Sequence, residues 1–264
     1  MDMTRGKPRV AVHKFSSCDG CQLAFLNLGE ALLELAERVE FSHFAEAGPV
    51  DPGAEVDVAF VEGSISTRED VERIRRVRAC ARYLVTIGAC ATAGGIQALR
   101  NLHDTGQWVA GVYASPQYVS TLQRVTPIAA EVKVDFELWG CPVSGRQVQA
   151  VLRSLLSGVV PREEHDKVCM ECKRLRTVCV MVTRGIPCMG PVTRGGCGAI
   201  CPSFGRDCYA CYGPAENVNA PSLSRRLEGL GLAREAVAAR FHLINSQAPG
   251  FLDAGGAADP DRHG

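Results

Sequence analysis

Several things this sequence lacks narrow its function before any motif is considered. It has no charge of one sign: Lys plus Arg number 29 and Asp plus Glu number 29 in 264 residues. Neither nucleic acid nor an anionic membrane is therefore indicated as the main partner. Long apolar runs are also missing, so no membrane span is expected. No charged, apolar and cleavage-site pattern precedes the first apolar run, and the pairs Arg75, Arg76 and Arg225, Arg226 lie inside the chain. No export signal is read, and the expected location is the cytoplasm. Finally, no Gly-x-Gly-x-x-Gly suggests that the chain binds a dinucleotide itself.

Cysteine is abundant instead. Thirteen are present, an odd number in a chain far longer than the secreted domains that disulfides hold together. Thiols this dense in a reducing compartment point to metal, with zinc and iron–sulfur as the two candidates.

Residues 8–158 alternate strand and helix patterns. Strands are expected at 9–15, 39–44, 56–61, 83–87 and 132–139. Helices are expected at 22–38, after Thr67, at 91–102, 116–125 and 144–156. Thr67 reads as an N-cap with Asp70 three positions on, close to a capping box. This order predicts an α/β fold, a flavodoxin-like, doubly wound parallel sheet that binds ligands beyond the carboxyl ends of its strands. The composition changes at about residue 158, giving an expected first domain over 1–158 and a second over 159–264. The stretch to Pro214 has eight cysteines and too little apolar sequence for a core of its own. A small, irregular domain stabilised by its metal centres is expected there. Helical patterns over 222–245 break at Gly229-Leu230-Gly231, and the tail 254–264 reads as disordered.

Cys18 and Cys21 follow the first strand, Cys90 follows the strand at 83–87, and Cys141 follows the last. All four fall on one edge of the predicted sheet and suit one tetrahedral or cubane centre. Alone, Cys18-x-x-Cys21 would also suit a thioredoxin-like redox pair; Cys90 and Cys141 in matching loops weigh against that. Cys80 reads as a small buried hydrophobe beside Ile74 and Val77. Beyond residue 160, Cys169, Cys172, Cys179 and Cys188 form C-x2-C-x6-C-x8-C, and Cys197, Cys201, Cys208 and Cys211 form C-x3-C-x6-C-x2-C. Spacing alone leaves open an exchange of Cys188 or Cys197 between the two sets. It also leaves open a zinc-binding module without redox function. From Lys167 to Gly213 there are seven basic residues against Glu171 and Asp207. That excess would balance two four-thiolate centres of about −2 each, cubane or zinc, or would form a solvated or docking face.

Three stretches, Cys18-x-x-Cys21, Gly88-x-Cys90-x-x-x-Gly94-Gly95 and Gly140-Cys141-Pro142, resemble the small subunit of [NiFe] hydrogenases and the 20-kDa subunit of respiratory complex I. The stretches Cys188-Met-Gly-Pro-Val-Thr-Arg-Gly-Gly-Cys197 and Cys208-Tyr-Ala-Cys211 resemble the hydrogenase side of that family. The likeness is greatest to the cytoplasmic, bidirectional sulfhydrogenase delta-type subunits and covers about residues 8–215. It implies three [4Fe–4S] clusters: a proximal one on Cys18, Cys21, Cys90 and Cys141, a distal one on Cys169, Cys172, Cys179 and Cys188, and a medial one on Cys197, Cys201, Cys208 and Cys211. Respiratory uptake enzymes carry a histidine where this chain has Cys169, and a three-cysteine medial site where Cys201 adds a fourth ligand here. His165 is read as an exposed bystander.

The implied partners are a large subunit bearing the Ni–Fe site and a flavin- and NAD(P)-binding diaphorase with further iron–sulfur subunits. No residue here looks like a nickel-binding pair. A methanogen-type assembly delivering electrons to a heterodisulfide reductase or a deazaflavin is the alternative. Glu62 resembles a family position lining the proximal pocket, with helix capping or a salt bridge as an equal reading.

Overall fold

A computed structural model describes residues 6–163 and 165–258. It divides into two compact units, 1–162 and 163–264.

The first unit is built on five strands: β1 (Arg9–Lys14), β2 (Glu40–Phe44), β3 (Val56–Glu62), β4 (Ala81–Ile87) and β5 (Phe136–Leu138). They lie in the order β2-β1-β3-β4-β5 and all pair in parallel, the order of flavodoxin-like sheets. Both faces are covered, which is why the central strands read as continuous apolar runs. Val10, Val12, Val58, Phe60, Val85 and Ile87 fill one face. They meet helices α1 (Gly20–Leu26), α2 (Glu30–Arg38) and, later in the chain, Gly145–Leu156. Phe25 of α1 stands edge-on to Phe60 at 5.1 Å and to Phe44 at 5.8 Å; each buried ring stabilises the layer by roughly 1.5–3 kcal/mol. Ala11, Ala59, Val61 and Leu84 fill the other face against Ile74 and Val77 of α3 (Arg68–Cys80).

Helix α3 starts with a full capping box. The Thr67 hydroxyl accepts from the Asp70 backbone N–H at 3.1 Å, and the Asp70 carboxylate accepts from Thr67 N–H at 3.0 Å. Four expectations for this unit need correction. The helix at 22–38 is two helices, because Gly29 at φ +57° turns the chain between them. The helix at 91–102 is α4 (Gly88–Ala93) followed by a 3-10 turn over Ile96–Leu102, broken at Gly94 and Gly95, both at positive φ. Only Pro116–Tyr118 of the stretch 116–125 turns helically. There Leu122 N–H bonds to Ser66 O and Val125 N–H to the Asn101 side chain, so the donors a helix would need are already used. The last strand is short because the Asp135 carboxylate accepts from Leu84 N–H at 2.9 Å, taking the place of a backbone rung. After α5 (Thr105–Val112), helix α6 (Gly145–Leu156) completes this unit.

The second unit begins with three short helices, α7 (Val168–Arg174), α8 (Val180–Arg184) and α9 (Ile200–Ser203). A trio of longer ones follows: α10 (Ala220–Glu228), α11 (Arg234–His242) and α12 (Pro249–Ala258). Helix α12 corrects the expected disorder over 254–258; residues 259–264 lie outside the described ones. Its Phe251 packs edge-on to Phe241 at 5.6 Å. A Cβ on Gly255 would stand 1.9 Å from His242 Nε2. The glycines that read as disorder are thus what lets α12 approach α11. Among the described residues no helix is long and apolar enough to cross a membrane.

Candidate metal centres

In the first unit, Cys18 and Cys21 lie just beyond the carboxyl end of β1, Cys90 in α4 beyond β4, and Cys141 three residues beyond β5. Two hydrogen bonds from backbone N–H groups tie the three segments together. Ala89 N–H bonds to Gly140 O at 2.7 Å, and Val143 N–H donates to Cys21 Sγ at 3.5 Å. Gly88 is at φ +86°, and a Cβ there would stand 2.3 Å from Cys21 Sγ. Only glycine both adopts that backbone and leaves room for the sulfur.

The four thiols form one electrostatic set. Burial, above all, pushes the Cys21 thiol up, opposed by the Val143 N–H and reinforced by Glu62, Cys90 and Cys141. Burial likewise pushes Cys90 up to about 11, with Cys141, Cys18 and Glu62 adding to it against the Gln97 side chain. Cys141 is raised by burial and then by Cys18. Thiolates gathered here need a cation to compensate them, and that is what a metal centre supplies.

Glu62, at the end of β3, is 2% exposed and accepts from Cys21 N–H at 3.3 Å and Gln22 N–H at 3.0 Å. It caps α1 from a different strand, where the positive end of a helix favours a carboxylate. Burial raises its pKa against those two N–H donors. The pocket position and the capping role proposed for Glu62 are therefore one arrangement. Cys80 closes α3 just before β4, at the sheet edge opposite Cys90. It is half-buried rather than a full core residue.

In the second unit, Cys169 and Cys172 lie on α7, Cys179 caps α8, and Cys188 follows that helix. Gly190 lies between two of them: a Cβ there would be 3.4 Å from Cys169 Sγ and 3.5 Å from Cys188 Sγ. Burial raises Cys169, Cys188 and Cys179 add to it, and Lys173 and Lys167 oppose it. Burial also pushes Cys172 to about 11, followed by Cys169, Cys188, Cys179 and, least, Cys197. The remaining four are less closed as a set. Cys208, raised chiefly by burial, interacts with Cys188 and Cys211, while Cys201 acts on Arg206. Cys208 N–H donates to Cys188 Sγ at 3.3 Å.

Among the described residues no three His, Cys, Asp or Glu side chains converge to hold a single metal ion. A zinc site asks for that convergence, with sulfurs about 2.3 Å from one point. A cubane binds each thiolate through a different iron, so its ligands surround a cage.

The four non-glycine residues of positive φ among the described ones are Asp19, Arg176, Ala199 and Ala210. Each lies between two cysteines of one motif, where the backbone has been turned against its preference. Sequence reasoning missed the side chains that anchor the cysteine-bearing segments of the second unit. Arg240 of α11 donates to Pro187 O at 3.2 Å and pairs with Asp207, flanking Cys188 and Cys208. Asn245 donates to Ala210 O at 2.8 Å. Nothing in the local pattern links these residues to cysteines more than thirty positions away. Glu171 was also missed, although its place as one of two acids among seven bases was a signal. His165 is exposed and contacts Glu216 at 3.2 Å.

The family model described as NADH ubiquinone oxidoreductase, 20 Kd subunit, matches residues 18–155. The chain is 36% identical over 215 residues to sulfhydrogenase 2 subunit delta of Pyrococcus furiosus, covering 81% of this chain and 90% of that one. It is 29% identical over 252 residues to an F420-non-reducing hydrogenase subunit of Methanothermobacter marburgensis, covering 80% of each. A solved NAD+-reducing [NiFe]-hydrogenase in the H2-reduced state contains a chain of similar structure, with TM-score 0.55 and 32% identity. The match covers 60% of this chain and 96% of that one.

Proposed function

The chain belongs to the family that unites the 20-kDa subunit of NADH ubiquinone oxidoreductase with the small subunits of [NiFe] hydrogenases, and from that premise we propose that it is a three-cluster electron relay. As a hydrogenase small subunit it works with a large subunit that carries the catalytic site. In the proposed assembly Cys18, Cys21, Cys90 and Cys141 hold the proximal [4Fe–4S] cluster. Cys169, Cys172, Cys179 and Cys188 hold the distal one, and Cys197, Cys201, Cys208 and Cys211 the medial one. The clusters, when bound, take up and release electrons one at a time. The chain's part is to fix their positions and surroundings: Val143 and Cys208 aim N–H groups at sulfurs, which favours electron uptake at those sites. The proposed electron partner is a diaphorase that binds flavin and NAD(P), in the cytoplasm.

The observation that carries this reading is the set of four mutually interacting cysteines drawn from the ends of three parallel strands. Metal and sulfide content of the anaerobically purified protein, with its partners retained, tests it. About twelve iron and twelve sulfide per chain are expected, with nickel on a co-purified larger chain. Zinc without sulfide would overturn it in favour of a binding module.

A second reading, delivery to a heterodisulfide reductase, is favoured by one observation. The F420-non-reducing relative aligns over 80% of this chain, whereas the NAD+-reducing structure covers 60%. Identifying the co-purifying chains separates the two: a flavin- and NAD(P)-binding pair supports the first reading.

A further inference from the structure

Glu171 is one residue before Cys172 on α7, yet its carboxylate is spent on a different motif. Oε1 accepts from Gly196 N–H at 2.8 Å and Gly198 N–H at 3.0 Å; Oε2 accepts from Ala199 N–H at 3.0 Å. Successive backbone N–H groups turned to one side form a concavity that binds an anion, and here a side chain fills it. Cys197 is in the middle of that loop, with its Sγ 3.6 Å from Oε2. The backbone is drawn in further by Gly195, whose N–H bonds to Asp166 O at 2.7 Å. A Cβ on Gly195 would stand 3.4 Å from the Glu171 carboxyl carbon.

We propose that Glu171 is a positioning residue that holds the Cys197 loop against the helix carrying Cys169 and Cys172, and that its charge lowers the reduction potential of the cluster bound through Cys197. The inference rests on the three-cluster reading above. The apo thiol of Cys197 can donate to Glu171; as a metal ligand it is a thiolate with no proton to give. The carboxylate then stands as a charged neighbour of the ligand sulfur, no longer accepting from it, and a nearby negative charge disfavours an added electron. The three backbone donors fix the carboxylate there and are themselves withheld from the cluster's sulfurs. One side chain thus does two things. It sets the geometry of one site from the helix of the other, and it makes the site nearer Cys197 harder to reduce.

The two effects separate by substitution. Glu171→Gln keeps an oxygen for Gly196 and Gly198 but removes the charge, whereas Glu171→Ala removes both. The test is a redox titration of the purified complex followed by electron paramagnetic resonance, with the Cys18, Cys21, Cys90, Cys141 cluster as internal control. In Glu171→Gln the cluster bound through Cys197 should shift to a more positive midpoint while the control does not move. In Glu171→Ala trypsin should cut faster after Arg194, beside the loop, and iron per chain should fall. Iron and sulfide in the unmodified complex judge the three-cluster reading independently. Given about twelve of each, a Glu171→Gln titration superimposable on the unmodified one overturns the role of Glu171 and leaves that reading standing.

Discussion

His13 and His43 stack at 4.6 Å between centroids on the neighbouring strands β1 and β2. Burial, then His43 and Arg73, hold the His13 pKa down at about 3 from 6.5, and burial also lowers His43. A histidine kept neutral by the fold binds fewer protons folded than unfolded over that interval. Its contribution to stability is therefore complete above pH 6.5 and is lost progressively as pH falls toward 3. The urea midpoint of the protein should drop between pH 7 and pH 5, and His13→Phe, which keeps a flat ring in place, should flatten that drop. An unchanged slope in the variant would assign the acid sensitivity elsewhere. Gly88 supports a second prediction at this scale. With its Cβ position 2.3 Å from Cys21 Sγ at φ +86°, Gly88→Ala should displace the thiol. Iron should fall by about four per chain while the other two centres keep theirs, and full retention would show that the sulfur has room to move. Neither Gly88 nor His13 announces its role locally. The glycine is part of the motif around Cys90, but nothing nearby in sequence shows that its missing Cβ makes room for Cys21, and the histidine reads as part of an apolar strand.

Elements were legible where the chain satisfies its own hydrogen bonds. β1, β3 and β4 are buried on both faces, so their apolar runs identify them directly, and α3 carries its own start signal. Asp70 accepts from both Ser66 and Thr67 N–H, at 3.1 and 3.0 Å. Asp70→Ala should therefore cost more than Thr67→Ala, which removes one acceptor and is expected to cost about 1 kcal/mol. Chemical denaturation of both variants checks the order, and an equal cost would mean that water replaces the lost carboxylate. Elements became illegible where a distant side chain supplies the missing partner. The expected strand over 132–139 is shortened by the Asp135 carboxylate. Helices α7 to α9 are four to seven residues long, too short to leave a periodic signal or to persist without tertiary support.

The two units of the molecule differ in what holds them. The first has a sheet with two apolar faces. The stretch from α7 to Pro214 has fewer buried apolar side chains, with Val168, Val180, Met189 and Val192 among them. Removal of iron by acid or chelator should therefore leave the first unit's strands intact and make residues 160–214 sensitive to protease. Mass mapping of the early cuts checks this, and unchanged resistance there would mean that the helices beyond α9 are enough to hold the stretch. The candidate sites were legible at this scale to an unequal degree. Parallel topology places Cys18, Cys21, Cys90 and Cys141 at one edge once the strands are known. In the second unit, among the described residues, no regular sheet does that for the other eight, and side-chain anchors such as Arg240 and Glu171 tie the segments of one proposed set to those of the other. The first arrangement also has a consequence for synthesis. Val143 N–H reaches back 122 residues to Cys21 Sγ, and β5 must be in place before Cys141 joins the set. At ribosomal speed that gap is on the order of ten seconds. During that time the first pair of thiols has emerged without its partners, so the proposed proximal centre is the earliest to begin and cannot be finished until almost the whole first unit has been made.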